Sequence, residues 1–181
     1  MFGNQFIENK FAACLLYERY LTIWFLNKRM YKLKRTQQIP IKLTHAWDFF
    51  SKPENLGLIT PSYMKFSVIS RSDVGDMYPG MIITYTISPV LNISIKWATE
   101  ITQIKEHKYF IDNQIKGPYT IWHHEHHFSK IENGIEMTDI LFYDLPYGIF
   151  GKLVHKLFVK KKVEEIFTYR EHKIKELFGS L

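Results

Sequence analysis

The chain has 181 residues, one cysteine, 16% aromatic residues and a formal net charge of +6. That length suits one domain with a sizeable core, and the lone Cys14 excludes an intramolecular disulfide. The basic balance invites an anionic partner, but no zinc-finger spacing, Gly-rich phosphate loop or Arg-rich tract accompanies it, so specific nucleic-acid binding is not expected.

The N-terminal thirty residues fit no targeting pattern. Phe11 to Tyr17 is a short apolar run that Glu18-Arg19 interrupts before Tyr20 to Leu26. A signal peptide needs a longer unbroken apolar region, and a membrane span needs about 20 mostly apolar residues without a central charge pair. Residues 1–29 therefore read as an extension produced by a misassigned start at Met1. The other reading is an amphipathic helix that packs on the domain or touches a membrane surface. Residues 30–181 read as a single domain, cytoplasmic and without integral membrane association.

From Met30 onward the pattern predicts a strand, two short helices, six strands and one long helix. Tyr31 to Ile39 is strand-like and Pro40 ends it. Leu43, Trp47 and Phe50 recur at helical spacing. Pro53-Glu54 suits the first turn of a second short helix, which Thr60-Pro61 ends. Strands are expected at 65–71, 81–88, 93–105, 108–116, 120–131 and 135–145. Tyr147 to Phe178 reads as the long helix. Its apolar stripe comprises Phe150, Leu153, Val154 and Leu157, then Val163, Ile166, Phe167, Ile174 and Leu177, with Arg170 lying within it. Around Val159 to Lys162 the stripe is interrupted, which points to a bend or a cavity mouth.

Two turns set the expected strand registers. Asn133-Gly134 is a strong hairpin signal. With those two as the loop, Phe128 faces Asp139, His126 faces Leu141, His124 faces Tyr143 and Trp122 faces Leu145. A tight turn at Glu106-His107 opposes Trp97 to Lys116, Thr99 to Gln114, Ile101 to Asp112 and Gln103 to Phe110. One sheet face then carries two histidines, two acids, an amide and a phenol among large apolar side chains. Buried polar groups need partners, so this face reads as a cavity wall. Trp97, Phe110, Trp122, Phe128 and Leu141 would be its apolar part, and Asp112, Gln114, His124, His126, Asp139 and Tyr143 its polar points.

His123, Glu125 and His127 fall on the opposite, solvent face. Ile140 and Phe142 also lie there, which raises a weak homodimer contact or a docking place for residues 1–29. His124, His126 and Asp139 make a two-histidine, one-carboxylate metal set geometrically conceivable. No Glu or Cys stands at tight ligand spacing beside them, so neither a metal nor another cofactor is expected.

Several segments resemble the bacterial ligand-binding proteins of the SRPBCC superfamily, which includes START domains, birch-pollen allergens and polyketide cyclase-like proteins. They are Trp47-Asp48-Phe49-Phe50, Pro53 to Leu56, Ile59-Thr60-Pro61, Gly117-Pro118-Tyr119, the alternating Trp122, His124, His126 and Phe128, and Asp139 through Gly148. The similarity spans about residues 31–178. It implies an α+β helix-grip fold: a curved antiparallel sheet of about seven strands wrapped around a long C-terminal helix, with a cavity between. The reading it supports is binding of a small hydrophobic or amphipathic ligand. The alternative is a cyclase-, dehydratase- or isomerase-type enzyme using His124, Asp139 and Tyr143. A second alternative is a protein-interaction module that would use Lys160, Lys161 and Lys162.

Overall fold

The computed structural model describes residues 30–72, 75–89 and 92–181; the 1–29 extension, and with it the domain boundary, lies outside the described residues. The elements follow in the expected order. Strand β1 (Tyr31–Ile39) leads to helix α1 (Leu43–Phe50) and two 3-10 turns (Pro53–Ile59 and Ser62–Met64). Strands β2 (Ser67–Arg71), β3 (Ile82–Ile87), β4 (Ile95–Lys105), β5 (Tyr109–Lys116), β6 (Ile121–Ile131) and β7 (Gly134–Asp144) come next. Helix α2 (Gly148–Val154) runs through a wide π turn (His155–Val159) into α3 (Lys160–Phe178). The second short helix is thus 3-10, with Pro53 in its first turn, where its missing N–H costs nothing.

Seven strands form one antiparallel sheet in the order β1-β7-β6-β5-β4-β3-β2. Consecutive strands pair as hairpins except that β1 lies beside β7, so the first strand extends the sheet next to the last. One core cluster joins Trp47 of α1 to Phe110, Phe128, Ile135 and Met137 of the sheet and Ile174 of α3. Trp47 meets Phe110 and Phe128 edge-on, with ring centroids 6.1 and 5.8 Å away. Such aromatic pairs contribute roughly 0.5–1.5 kcal/mol beyond their buried area. Val163, Phe167 and Ile174 are the buried residues of α3 and fix its inward face. No helix among the described residues is long and apolar enough to cross a membrane.

The β6–β7 register differs from expectation by two residues. Ile131 pairs with Gly134 across a Glu132-Asn133 loop, so His126 opposes Asp139, His124 opposes Leu141, Trp122 opposes Tyr143 and Phe128 opposes Met137. A slip of two, unlike a slip of one, leaves every side chain on its expected face. Gly134 pairs with Ile131 as the first residue of β7, and any side chain there would collide with the Ile39 carbonyl of β1. Its glycine serves close approach of two strands.

The β4–β5 connection is a three-residue turn. Lys108 N–H donates to the Lys105 carbonyl at 2.9 Å, and His107 takes a left-handed conformation (φ 57°). Thr99 opposes Gln114 and Ile101 opposes Asp112 as expected. Irregularities after Ala98 and after Ile101 place Ala98, in place of Trp97, opposite Lys116, and Ile104, in place of Gln103, opposite Phe110. Each inserts an extra residue on one strand.

The long helix also departs from its expected stripe. Val163, Phe167 and Ile174 are buried, but Phe150 is 77%, Leu153 55% and Leu157 73% exposed. Helix α2 instead packs through Gly151, whose missing side chain accommodates the Pro146 carbonyl, and the π turn packs through His155. The wide turn adds a residue to one helical turn, so the inward face before it is not continuous with the face after it.

Candidate functional site

Three neighbouring strands bring four ionisable side chains together on the inner sheet face. β5 supplies Asp112, β6 supplies His124 and His126, and β7 supplies Asp139. Period-two alternation puts both histidines on that face, and the registers set Asp112 opposite His124 and Asp139 opposite His126. His126 Nε2 lies 3.0 Å from Asp112 Oδ2, and His124 Nε2 lies 3.1 Å from Asp139 Oδ1. His124 Nδ1 is 3.8 Å from Asp112 Oδ2. His126 Nδ1 approaches Asp139 Oδ1 to 2.8 Å, a charge contact outside hydrogen-bond alignment. The imidazole centroids are 3.9 Å apart. Phe110 stacks on His126 at 4.2 Å, and Phe167 of α3 stands edge-on to His124 at 5.5 Å.

Burial and pairing compete at each group. Burial would raise the Asp139 carboxyl, but the hydrogen bond with His124, the close approach of His126 and the charges of both imidazoles hold it far below the usual carboxylate range. Asp112 is likewise lowered against the effect of burial, through His126, His124 and, last, the charge of Arg170. The imidazoles diverge. Burial and then the charge of His126 push His124 down, whereas the two carboxylates overcome burial at His126 and push it up. Neighbouring groups pushed apart in this way can hold and release a proton between them.

The other residues singled out in the sequence separate into distinct surroundings. Trp97 and Trp122 (ring centroids 5.1 Å apart) pack with Tyr119 in an apolar cluster that also includes Met64 and Ile87. Gln114 donates to the Tyr119 carbonyl at 2.7 Å and accepts from its N–H at 3.3 Å, tying down the β5–β6 connection. Phe128 and Leu141 are buried, Phe128 in the main core. Tyr143 does not face His124; its hydroxyl pairs with His155 Nε2 at 2.9 Å. His155 escaped the sequence reading because it lies one residue off the apolar stripe.

A cavity of about 80 Å³ lies between the sheet, α1, the first 3-10 turn and α3. Its walls are mostly apolar and include Phe49, Phe50, Leu56, Phe66, Ile83, Tyr85 and Ile101. Of the predicted site residues, Phe110, Asp112 and His126 border it. So does Arg170, whose interruption of the apolar stripe was the available sequence signal. Arg170 and Asp139 also border a smaller hollow beside Gln37 and Phe167. The guanidinium lies 5.1 Å from the Phe167 ring centroid, and Nε is buried without a hydrogen-bond partner.

No protein-family model matches the chain, and no curated protein sequence does. Solved structures do match. The di-domain ARO/CYC BexL from the BE-7585A biosynthetic pathway aligns with a TM-score of 0.66 at 13% identity, over 96% of this chain and 58% of its own. Major latex-like protein 151 from Panax ginseng aligns at 0.60 and 12% identity, over 82% of this chain and 97% of its own. Protein Ms6760 from Mycobacterium smegmatis aligns at 0.57 and 16%, over 81% and 92%. Identities this low establish architecture and not activity. The architecture that the chain shares with them is the helix-grip fold.

Proposed function

We propose that the protein is a cytoplasmic binder of a small hydrophobic or amphipathic molecule, held in the cavity between the sheet and α3. The observation that carries this reading is an apolar hollow with a few polar groups, Asp112, His126 and Arg170, at its wall. Buried Nε of Arg170 lacks an acceptor, and a ligand hydroxyl, carbonyl or carboxylate oxygen would supply one. A site for one water needs roughly 10–15 Å³, so the room present suits a small ring or head group.

Native mass spectrometry of the full chain, purified gently from its own host, tests the reading. A stoichiometric added mass that disappears on denaturation, and that is lost when Ile83→Phe fills the cavity, is the expected result. An unadorned mass for both proteins would sink the tight-binder reading.

A second reading draws on the same wall. His126 and Asp112 border the cavity as a paired acid and base, whereas His124, Asp139 and Tyr143 do not border it. Cyclase-, dehydratase- or isomerase-type proton transfer would therefore run through His126 and Asp112. ARO/CYC BexL, which shares the fold, supports keeping this chemistry in view. Turnover that vanishes in His126→Gln while ligand binding persists would favour it.

A further inference from the structure

We propose that Asp112, His124 and His126 bind one divalent transition-metal ion, with Asp139 orienting both imidazoles from behind. Each ring turns one nitrogen towards each carboxylate. His124 Nδ1 and His126 Nε2 face Asp112 Oδ2 at 3.8 and 3.0 Å, and these three donor atoms lie within 4.8 Å of one another. Metal–nitrogen bonds near 2.0–2.1 Å in a tetrahedral set place donor atoms roughly 3.3 Å apart, so small side-chain adjustments close the triad around an ion. The two remaining nitrogens, His124 Nε2 and His126 Nδ1, converge on Asp139 Oδ1 at 3.1 and 2.8 Å. For His124 that is the arrangement in which a ligating histidine gives its second ring N–H to a carboxylate, and a small turn of the His126 ring would align the second.

The pairing leaves room for an ion. Two of the four nitrogen–carboxylate contacts, His124 Nε2 to Asp139 and His126 Nε2 to Asp112, are hydrogen bonds. His124 Nδ1 stands 3.8 Å from Asp112, and His126 Nδ1 faces Asp139 outside hydrogen-bond alignment. A dication beside Asp112 would engage the set more fully. It takes the lone pairs of His124 Nδ1 and His126 Nε2, leaves N–H donors facing Asp139, and offsets the two carboxylate charges.

Sequence spacing alone suggested Asp139 as the third ligand; the registers of β5 and β7 assign that place to Asp112 and put Asp139 behind the rings. Two imidazoles and one carboxylate suit zinc or ferrous ions and leave coordination positions open. Asp112 and His126 border the cavity, so an ion held by them would lie beside it. The inference does not depend on the ligand-binding reading, since the ion would bind the empty protein.

The test uses chelator-stripped full chain, titrated with Zn²⁺ against a chromophoric competitor and with Co²⁺ by visible absorption. One equivalent should bind, with Co²⁺ bands of a low-coordinate nitrogen–oxygen site. Asp112→Asn and His124→Phe should abolish saturable binding, and Asp139→Asn should weaken it by about 10- to 100-fold. His127→Ala, on the opposite face, should bind as the parent does. Circular dichroism of each variant separates lost ligands from lost folding, and His126→Gln provides an independent ligand removal. Absence of saturable Zn²⁺ and Co²⁺ binding overturns the proposal. So does binding that survives Asp112→Asn and is lost in His127→Ala.

Discussion

Strand β6 carries five consecutive ionisable residues, His123, His124, Glu125, His126 and His127, and the pleat divides them between two environments. On the inner face, His124 and His126 meet Asp112 and Asp139 with little exposure to water. On the outer face, His123 and His127 both reach Glu125, at 3.2 and 2.7 Å, and His123 also meets Asn113 at 2.7 Å. The pairings are of one kind and the distances are alike. Solvent makes the difference: outer-face charges are screened and rehydrate when a partner is lost, whereas inner-face charges have nowhere to go. A row of similar residues thus yields a solvated ladder on one side and a candidate site on the other.

The largest effect should come from breaking the inner set. In the presence of EDTA, Asp139→Asn should destabilise the fold by about 3–5 kcal/mol, because it leaves buried imidazoles uncompensated. Glu125→Gln, its outer counterpart, should cost no more than about 1 kcal/mol. Urea unfolding of both variants measures the contrast. Equal losses would show that burial is not what separates the two faces.

A smaller effect is expected where the inner face meets the π turn. Tyr143→Phe removes the hydroxyl contact to His155 Nε2 and should cost about 1 kcal/mol. His155 also predicts a pH dependence. Burial, then the charge of Lys160, pushes this imidazole below its ordinary 6.5, with Asp144 opposing. The folded state therefore binds fewer protons than the unfolded chain in that range. Its contribution is fully present above about pH 6.5 and is lost as pH falls through the lowered folded value. In His155→Leu the slope of unfolding free energy just below pH 6.5 should flatten. An unchanged slope would remove His155 as its source.

Most of the architecture was legible because alternation and turn chemistry are local. β1 begins and ends where the pattern placed it, and α1 spans Leu43–Phe50, the stretch marked by Leu43, Trp47 and Phe50. The faces of β6 and β7 survived a wrong register because the error was an even number of residues. What failed depended on remote contacts. Gly134 looked like a turn residue, but it begins β7 against the Ile39 carbonyl, nearly a hundred positions away in sequence. The exposed Phe150 and Leu157 follow a sound helical period, which says nothing about whether a neighbour is present to cover them. The inner-face histidines and acids were found from alternation. The cavity walls contributed by Phe50, Leu56 and Phe66 were not, because periodicity marks an apolar side chain without naming what it faces.

The smallest expected effect lies on the outer face and tests the comparison from its weak side. Burial would raise Glu125, but hydrogen bonds from His127 and His123, and their charges, lower it below its ordinary 4.5. That contribution is present above about pH 4.5 and is lost as pH falls through the lowered value. Glu125 is partly exposed, so salt should screen the gain. The difference in stability between parent and Glu125→Gln should therefore shrink both on acidification below pH 4.5 and on raising salt at neutral pH. A difference that persists in high salt would mean that the outer ladder is shielded from water as the inner cluster is, and the contrast between the two faces would then need another cause.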